Sequence, residues 1–351
     1  MTNGDKRRNR KRDRSSKRYK VRYDRLVAVA LALIVLIVVL SSCCKSCKGK
    51  KKSSTSATSS QTTVDNTQQS SIIDNLESSN ETSSLITATP DGQQPSEALY
   101  TMEVHNAADI NRGNLILVNS EHEYKFIEGD TELLSLFDTI DGVSFHVSDL
   151  VTKLDSEALN QLMDMMSAFY AAEKNSDIYV IGAYRTLEEQ NDKYNNGNSK
   201  FQGGYSDYHT GRSFDMGIFP TDGSSSGYYS PTGVYGWIDE HAAEYGFVVR
   251  FPEGKENYTG ERQRDYTYRY VGAPHAVYMK QNKLCLEEYI SKIKEHTNES
   301  PLEVTVGNKL YNIYYVAANA AGDTEVPVPS NKTYKVSGNN VDGFIVTVSM
   351  N

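Results

Sequence analysis

Residues 48–98 consist mainly of Ser, Thr, Gln and Asn with few large apolar side chains, and this tract limits how much of the 351-residue chain can fold. Such a segment cannot bury enough apolar surface to offset the entropy of ordering it, so residues 45–98 are expected to be a flexible linker. The folded part must lie beyond it. Two segments of different character precede the tract. Residues 1–25 carry twelve Lys/Arg against three Asp, a local charge of +9, and no charge falls between Leu26 and Ser42. Leu26–Leu40 reads LVAVALALIVLIVVL without a polar residue. With Ser41 to Cys44 it approaches the ~20 residues that cross a bilayer as a helix.

A basic flank ahead of an apolar run stays on the cytoplasmic side. Residues 1–25 are therefore expected to be a cytoplasmic arm and residues 26–44 a single-pass signal anchor in the cell membrane, with everything after it extracytoplasmic. The alternative is lipoprotein anchoring at Cys43, because Leu40-Ser41-Ser42-Cys43 resembles a lipobox. The whole chain has a net charge of −8, so the part from Cys43 onward carries −17. A body that acidic argues against nucleic acid as a partner. Cys43, Cys44 and Cys47 cluster at the expected membrane edge and Cys285 stands alone, which excludes a disulfide framework or a cysteine-rich zinc site in the folded part.

Folding signals begin near Leu115-Ile116-Leu117-Val118. Asp155–Ala172 places Leu159, Leu162, Met163, Met166, Phe169 and Tyr170 at helical spacing behind an acidic start, which predicts an amphipathic helix packed on a core. Ile178–Ile181 reads as a strand, and Thr186-Leu187-Glu188-Glu189 as a capping box that opens a second helix. Arg185 sits at the junction between them. Ser213–Ile218 alternates, with Phe214, Met216 and Ile218 on one face and Asp215 on the other. Trp237–Tyr245 reads as a helix ended by Gly246, Phe247–Phe251 and Thr267–Val271 as strands, and Pro274 suits the first turn of a further helix. Without a βαβ rhythm, this mixture predicts an α+β domain over residues 99–298, an antiparallel sheet with flanking helices. Short β runs at Tyr311–Val316, Thr333–Val336 and Phe344–Val348 predict a small C-terminal β module over 299–351.

The chemically informative segment is Ser206-Asp207-Tyr208-His209-Thr210-Gly211-Arg212-Ser213-Phe214-Asp215. His209 and Asp215, separated by the turn at Gly211, are candidate zinc ligands; a structural hydrogen-bonded pair is the alternative. The segment resembles the S-x-H-x-x-G-x-A-x-D signature of zinc D-alanyl-D-alanine carboxypeptidases of the VanY-like type. Further stretches agree in order. Ala183-Tyr184-Arg185-Thr186 with Glu189-Gln190 resembles G-Y-R-S-x-x-E-Q, and Tyr245 to Pro252 resembles Y-G-F-I-L-R-Y-P. Thr259-Gly260, Arg269-Tyr270-Val271-Gly272 and Pro274-His275-Ala276 match T-G, R-Y-V-G and P-H-A. The likeness spans about Leu115 to Ile290.

The resemblance implies the D-Ala-D-Ala carboxypeptidase-like fold and peptidoglycan stem peptides as partners. It implies Asp215 at a zinc-ligand position, Arg185 as the catalytic cation that stabilises a tetrahedral oxyanion, and Ser206 and Gln190 beside the substrate. Against the family's pattern, Tyr208 stands at the position of the first ligand His, with His209 one residue late. Where the family reads T-G-x-x-x-E-x-W-H-x-R-Y-V-G, Arg264 occupies the place of the Glu base and Thr267 that of the third ligand. A guanidinium cannot accept a proton, and a threonine hydroxyl binds zinc weakly. The zinc site is therefore expected to be incomplete. Two functions follow from this sequence: a stem-peptide-binding protein with reduced or lost hydrolysis, or an active zinc carboxypeptidase in which His209 and either Glu261 or Asp265 act as substitutes.

Overall fold

A computed structural model describes residues 100–351. The basic arm, the apolar run with Cys43 and the Ser/Thr-rich tract lie outside the described residues. Among the described residues no helix is long and apolar enough to cross a membrane. The strands are β1 (Tyr100–His105), β2 (Leu133–Ser135), β3 (His146–Val147), β4 (Lys153–Asp155), β5 (Ile178–Gly182), β6 (Ser213–Ile218), β7 (Gly227–Tyr228), β8 (Phe247–Phe251), β9 (Arg264–Tyr270), β10 (Leu302–Val306), β11 (Lys309–Ala317), β12 (Thr324–Pro329), β13 (Tyr334–Gly338) and β14 (Gly343–Ser349).

The fold is α+β. Its central sheet runs β3-β5-β6-β9-β8 with β7 paired to β6, and every pairing is antiparallel except that of β3 with β5. On one face lies the helix Ser156–Glu173. Asp155 caps it by accepting from the amides of Glu157 and Ala158, and Lys174 ends it in the left-handed conformation. Leu159, Leu162, Met165, Met166 and Phe169 of this helix pack with Phe214, Met216, Phe247 and Tyr268 of the sheet. Met163 and Tyr170, placed in the core stripe by their spacing, are only part-buried, whereas Met165 is buried. The stripe is thus rotated slightly from the one that the spacing suggests.

The apolar run Leu115–Val118 is buried but forms no strand. Its neighbourhood supplies the hydrogen bonds a ladder would have given. Arg269 donates to the carbonyls of Asn114 and Ile116, and Arg250 to that of Val118. The amide of Leu115 donates to Ser337 Oγ and that of Leu117 to the Asn339 carbonyl. A buried backbone needs partners but not a sheet.

The C-terminal β module is a four-stranded sheet, β10-β11-β14-β13. It does not stand apart. Val304, Ile313 and Ile345 share one core with Leu115, Ala276, Met279, Tyr289 and Ile290, and β12 pairs with β1 at the other end of the described chain. The boundary expected at 298/299 therefore crosses a continuous apolar core.

His275 sits in this seam. It is buried, with Nδ1 2.5 Å from the Tyr289 hydroxyl and Nε2 2.9 Å from Thr347 Oγ1 on β14. Burial pushes its pKa down to about 3 from an ordinary 6.5. Between those values the unfolded chain binds a proton that the folded chain does not, so this group makes stability fall as pH drops from about 6.5 toward 3. In urea denaturation of the full-length chain at pH 7 and pH 5, His275→Gln is expected to flatten the pH dependence by about one proton, roughly 1.4 kcal/mol per pH unit. An unchanged slope would show that His275 is protonated in the fold.

Candidate active site

The signature segment folds as a single turn of 3-10 helix, Asp207–Thr210, stopped at Gly211 with φ 68°. A side chain at Gly211 would come within 2.7 Å of Leu133, and the positive φ disfavours other residues independently. All four residues of the turn are buried. With three residues per turn, successive side chains leave the axis about 120° apart, so neighbours in the segment cannot serve one centre.

Each side chain takes a different direction. Asp207 points inward, where its carboxylate accepts from Arg269 Nη1 at 2.9 Å and from the Ser213 hydroxyl, with Arg250 Nε at 3.4 Å. Tyr208 points to the sheet, and its hydroxyl donates to Asp215 Oδ1 at 2.6 Å. His209 is fully buried. Its Nε2 accepts from the Gly204 amide at 3.0 Å, which leaves the proton on Nδ1 to donate to the Arg185 carbonyl at 2.7 Å. Burial pushes the imidazole below its ordinary pKa, which fits a neutral ring holding two backbone groups. His209 was expected as a metal ligand, but both ring nitrogens are occupied and the side chain that meets Asp215 is Tyr208. The turn's 120° step separates them.

Asp215 lies on the central strand β6, opposite Thr267 of β9, next to the bulge that interrupts the β5–β6 pairing. Thr267 donates its hydroxyl to the same Oδ1 at 2.7 Å. Arg185 Nη2 stands 3.9 Å from Oδ2, and the Arg185 guanidinium stacks 3.7 Å above the Tyr208 ring. The two hydroxyls and a cation thus surround Asp215. Burial and the Asp215 charge push the Tyr208 phenol well above its ordinary pKa, so it stays a neutral donor.

The structure brings together Arg185, Gln190 and Asp215 from the expected residues, but Gln190 takes another part. It is fully buried, accepts from Arg185 Nη1 at 3.1 Å, and donates to Ser199 Oγ at 2.8 Å and the Phe201 carbonyl at 2.6 Å. Its amide holds Arg185 in place and has no free donor to offer a substrate. Ser206 begins the turn; it is buried and its hydroxyl has no hydrogen-bond partner.

Sequence reasoning missed the setting of Arg264 and the role of Asp207. Arg264 Nη2 lies 2.5 Å from the buried carboxylate of Glu261, which also meets Lys200 Nζ at 3.3 Å and accepts from the Arg262 amide at 2.9 Å. Glu261 is therefore held in an ion pair, and Asp265 accepts from the Gln263 side chain. The signal available was the acid three residues ahead of the arginine. Asp207 offered no local signal, because its partners Arg250 and Arg269 lie far along the chain.

The model of the family described as VanY, D-alanyl-D-alanine carboxypeptidase, matches residues 151–273. A D-alanyl-D-alanine carboxypeptidase of Enterococcus faecium is 33% identical over 245 residues, 68% of this chain and 76% of the relative. The chain belongs to the D-alanyl-D-alanine carboxypeptidase family. A bifunctional D-Ala-D-Ala dipeptidase and D-Ala-D-Ala carboxypeptidase, VanXYC of Enterococcus gallinarum, is 28% identical over 125 residues, 32% of this chain and 66% of that protein. The crystal structure of the vancomycin-resistance D,D-dipeptidase VanXYg, in complex with a D-Ala-D-Ala phosphinate analog, matches with a TM-score of 0.59 at 25% identity, covering 72% of this chain and 99% of the other.

Zinc, the metal implied by the family, does not fit the residues present here. Tyr208 and Thr267 are neutral hydroxyls already donating to Asp215, and neither replaces an imidazole lone pair. Among the described residues no group of three or more His, Cys, Asp or Glu could hold a metal ion. The site is closed around Asp215 by hydrogen bonds.

Removing the carboxylate that organises the turn should be costly. Asp207→Ala leaves Arg269 and Arg250 buried without that partner, and breaking a buried pair from one side costs roughly 3–5 kcal/mol. Urea denaturation of the full-length chain should show a loss of that size. A loss under about 1 kcal/mol would mean that the arginines are satisfied without it.

Proposed function

We propose that this protein binds peptidoglycan stem peptides in the cleft of a D-alanyl-D-alanine carboxypeptidase frame and has lost most or all of the hydrolytic step. The observation that carries this reading is the fate of Asp215. Its Oδ1 accepts two hydroxyl protons at 2.6 Å and 2.7 Å, where hydrolysis by a zinc peptidase calls for a metal and its bound water. The base position supports the same reading, because Arg264 is a permanent cation tied to Glu261. Arg185, the family's oxyanion cation, is retained and held by Gln190 and the Tyr208 ring. The frame keeps its grip on a peptide and lacks the groups that would activate water.

The rival, an active enzyme with substitute residues, asks His209 to leave two backbone bonds, and either Glu261 to leave its ion pair or Asp265 to leave the Gln263 side chain, before they can act. Moving His209 or Glu261 strands buried polar groups. We also propose that the domain works outside the cytoplasm on a tether. The support is the basic arm, the apolar run Leu26–Leu40 and the polar tract to residue 98.

The test uses the full-length chain, a pentapeptide ending in D-Ala-D-Ala, and the triple variant Tyr208→His, Arg264→Glu, Thr267→His. The unmodified chain is expected to release D-alanine at background rate. With zinc supplied, the triple variant should release it at least about 10²-fold faster, the lower end of what a positioned general base contributes. Single changes should do little, because the metal and the base act on one step. Robust release by the unmodified chain would overturn the proposal.

A further inference from the structure

Five aromatic rings form a band across the central sheet, on the face that carries Asp215. The strand pairings set His146 of β3 beside Tyr179 of β5, Tyr179 beside Gly217 of β6, and Gly217 beside Tyr228 of β7. Paired residues share a face, and Gly217 stands two residues beyond Asp215, so the row crosses that face about 7 Å further along β6. The ring of Tyr179 lies 4.8 Å from that of His146 and 5.0 Å from that of Phe219, and Tyr228 stacks on Tyr266 at 4.2 Å with 18° between the planes. Gly217 makes room for the band, because a Cβ there would meet Phe219 Cε2 at 2.7 Å. Phe219 therefore lies over the glycine that separates Tyr179 from Tyr228.

The band is not core. Phe219 is 38% and Tyr228 64% exposed, and Tyr179, Phe219 and Tyr228 join no buried cluster among the described residues. An exposed apolar patch with a polar rim marks a binding surface, and the faces of aromatic rings carry partial negative charge that attracts polarised C–H groups. The rim narrows the choice of ligand. The connection from β6 to β7 holds the exposed residues Thr221, Asp222, Ser224, Ser225 and Ser226. Beside it is a cavity of about 420 Å³ whose lining, which includes Asn175, Asp177, Asp222, Tyr228 and Tyr235, has no Lys, Arg or His. An anion finds no cation in that cavity. Asp177 already accepts from the Asn175 side chain at 2.9 Å and the Tyr235 hydroxyl at 3.2 Å, so it is not a free counter-charge for an amine. Ring faces beside hydroxyl and amide groups fit a neutral molecule with an apolar face and a hydroxylated edge, which describes a sugar ring.

We infer that this band is a saccharide site, with sugar rings laid on the faces of Tyr228 and Phe219 and their hydroxyls directed to the β6–β7 connection. The chemical class is a neutral oligosaccharide. The N-acetylhexosamine glycan that carries stem peptides is the member such a cleft would meet, and that choice alone rests on the function proposed above. The band uses none of Arg185, Asp215 or Gln190. It holds the domain on a glycan strand whether or not a stem peptide occupies the cleft.

Calorimetry at millimolar saccharide measures binding of the N-acetylglucosamine tetramer, the glucose tetramer and a stem pentapeptide to the full-length chain, unmodified and as Tyr228→Ala and Tyr228→Phe. The unmodified chain should bind the N-acetylglucosamine tetramer. Tyr228→Ala should weaken that binding at least about fivefold, the worth of one aromatic contact, and Tyr228→Phe, which keeps the ring face, should stay within about twofold. Affinity for the pentapeptide should be the same in all three. No binding of either tetramer by the unmodified chain overturns the inference and leaves peptide binding to be judged on the pentapeptide. Tetramer binding that Tyr228→Ala leaves unchanged also overturns it, and a urea midpoint lowered by the same change would assign the ring to sheet stability. A glucose tetramer bound as tightly supports the saccharide site and overturns the choice of wall glycan. Failure of the pentapeptide alone to bind overturns the peptide-binding proposal and not this site.

Discussion

The Asp207 carboxylate is the constraint on which the site depends. It is buried between Arg269 and Arg250, themselves buried, and takes the Ser213 hydroxyl as well. Through those arginines it reaches the carbonyls of Asn114, Ile116 and Val118, the Thr210 hydroxyl and Glu287. One acid therefore ties the signature turn, the buried run 114–118, strands β8 and β9 and the helix Leu286–Lys292 into one frame. A buried ion pair of this kind does not by itself add much stability. What it supplies is direction, since a turn anchored at Asp207 sends Tyr208 to Asp215 and His209 to the backbone behind it.

Given that direction, the substitutions are mutually consistent. A carboxylate on a central strand must be compensated, and a zinc enzyme compensates it with a dication. Here the phenol of Tyr208 and the hydroxyl of Thr267 donate to it and Arg185 stands beside it. An arginine in place of the base would be badly placed beside a zinc ion, because two cationic centres would repel in a part-buried site. Here Arg264 pairs with Glu261. On the function proposed above, the three departures from the family pattern act as one change.

Much of the frame was legible in the sequence where periodicity is local. The helix Ser156–Glu173, the capping box at Thr186 and Glu189, the stop at Gly246 and the strands β6 and β8 follow from spacing and cap chemistry. Counting the signature without a gap set Tyr208 and not His209 at the first ligand position, and the contact of Tyr208 with Asp215 came only with the structure. Three features needed contacts between distant residues. Leu115–Val118 marked the start of folding without showing what holds it, because its backbone partners include arginines far along the chain. The β module looked separate because its apolar faces meet helix residues Ala276, Met279 and Tyr289, a pairing no local pattern encodes. Gln190 looked like a substrate contact because its burial and its three hydrogen bonds are invisible in a motif.

The central claim is that hydroxyl hydrogen bonds, and not a metal, satisfy Asp215. Zinc content tests it most directly: the full-length chain is purified with zinc present, dialysed, and analysed for bound metal by mass spectrometry, with melting followed in zinc and in chelator. The account predicts zinc far below one equivalent per chain and a melting temperature that neither additive moves. One equivalent of zinc that survives dialysis, with melting lowered by the chelator, would contradict it.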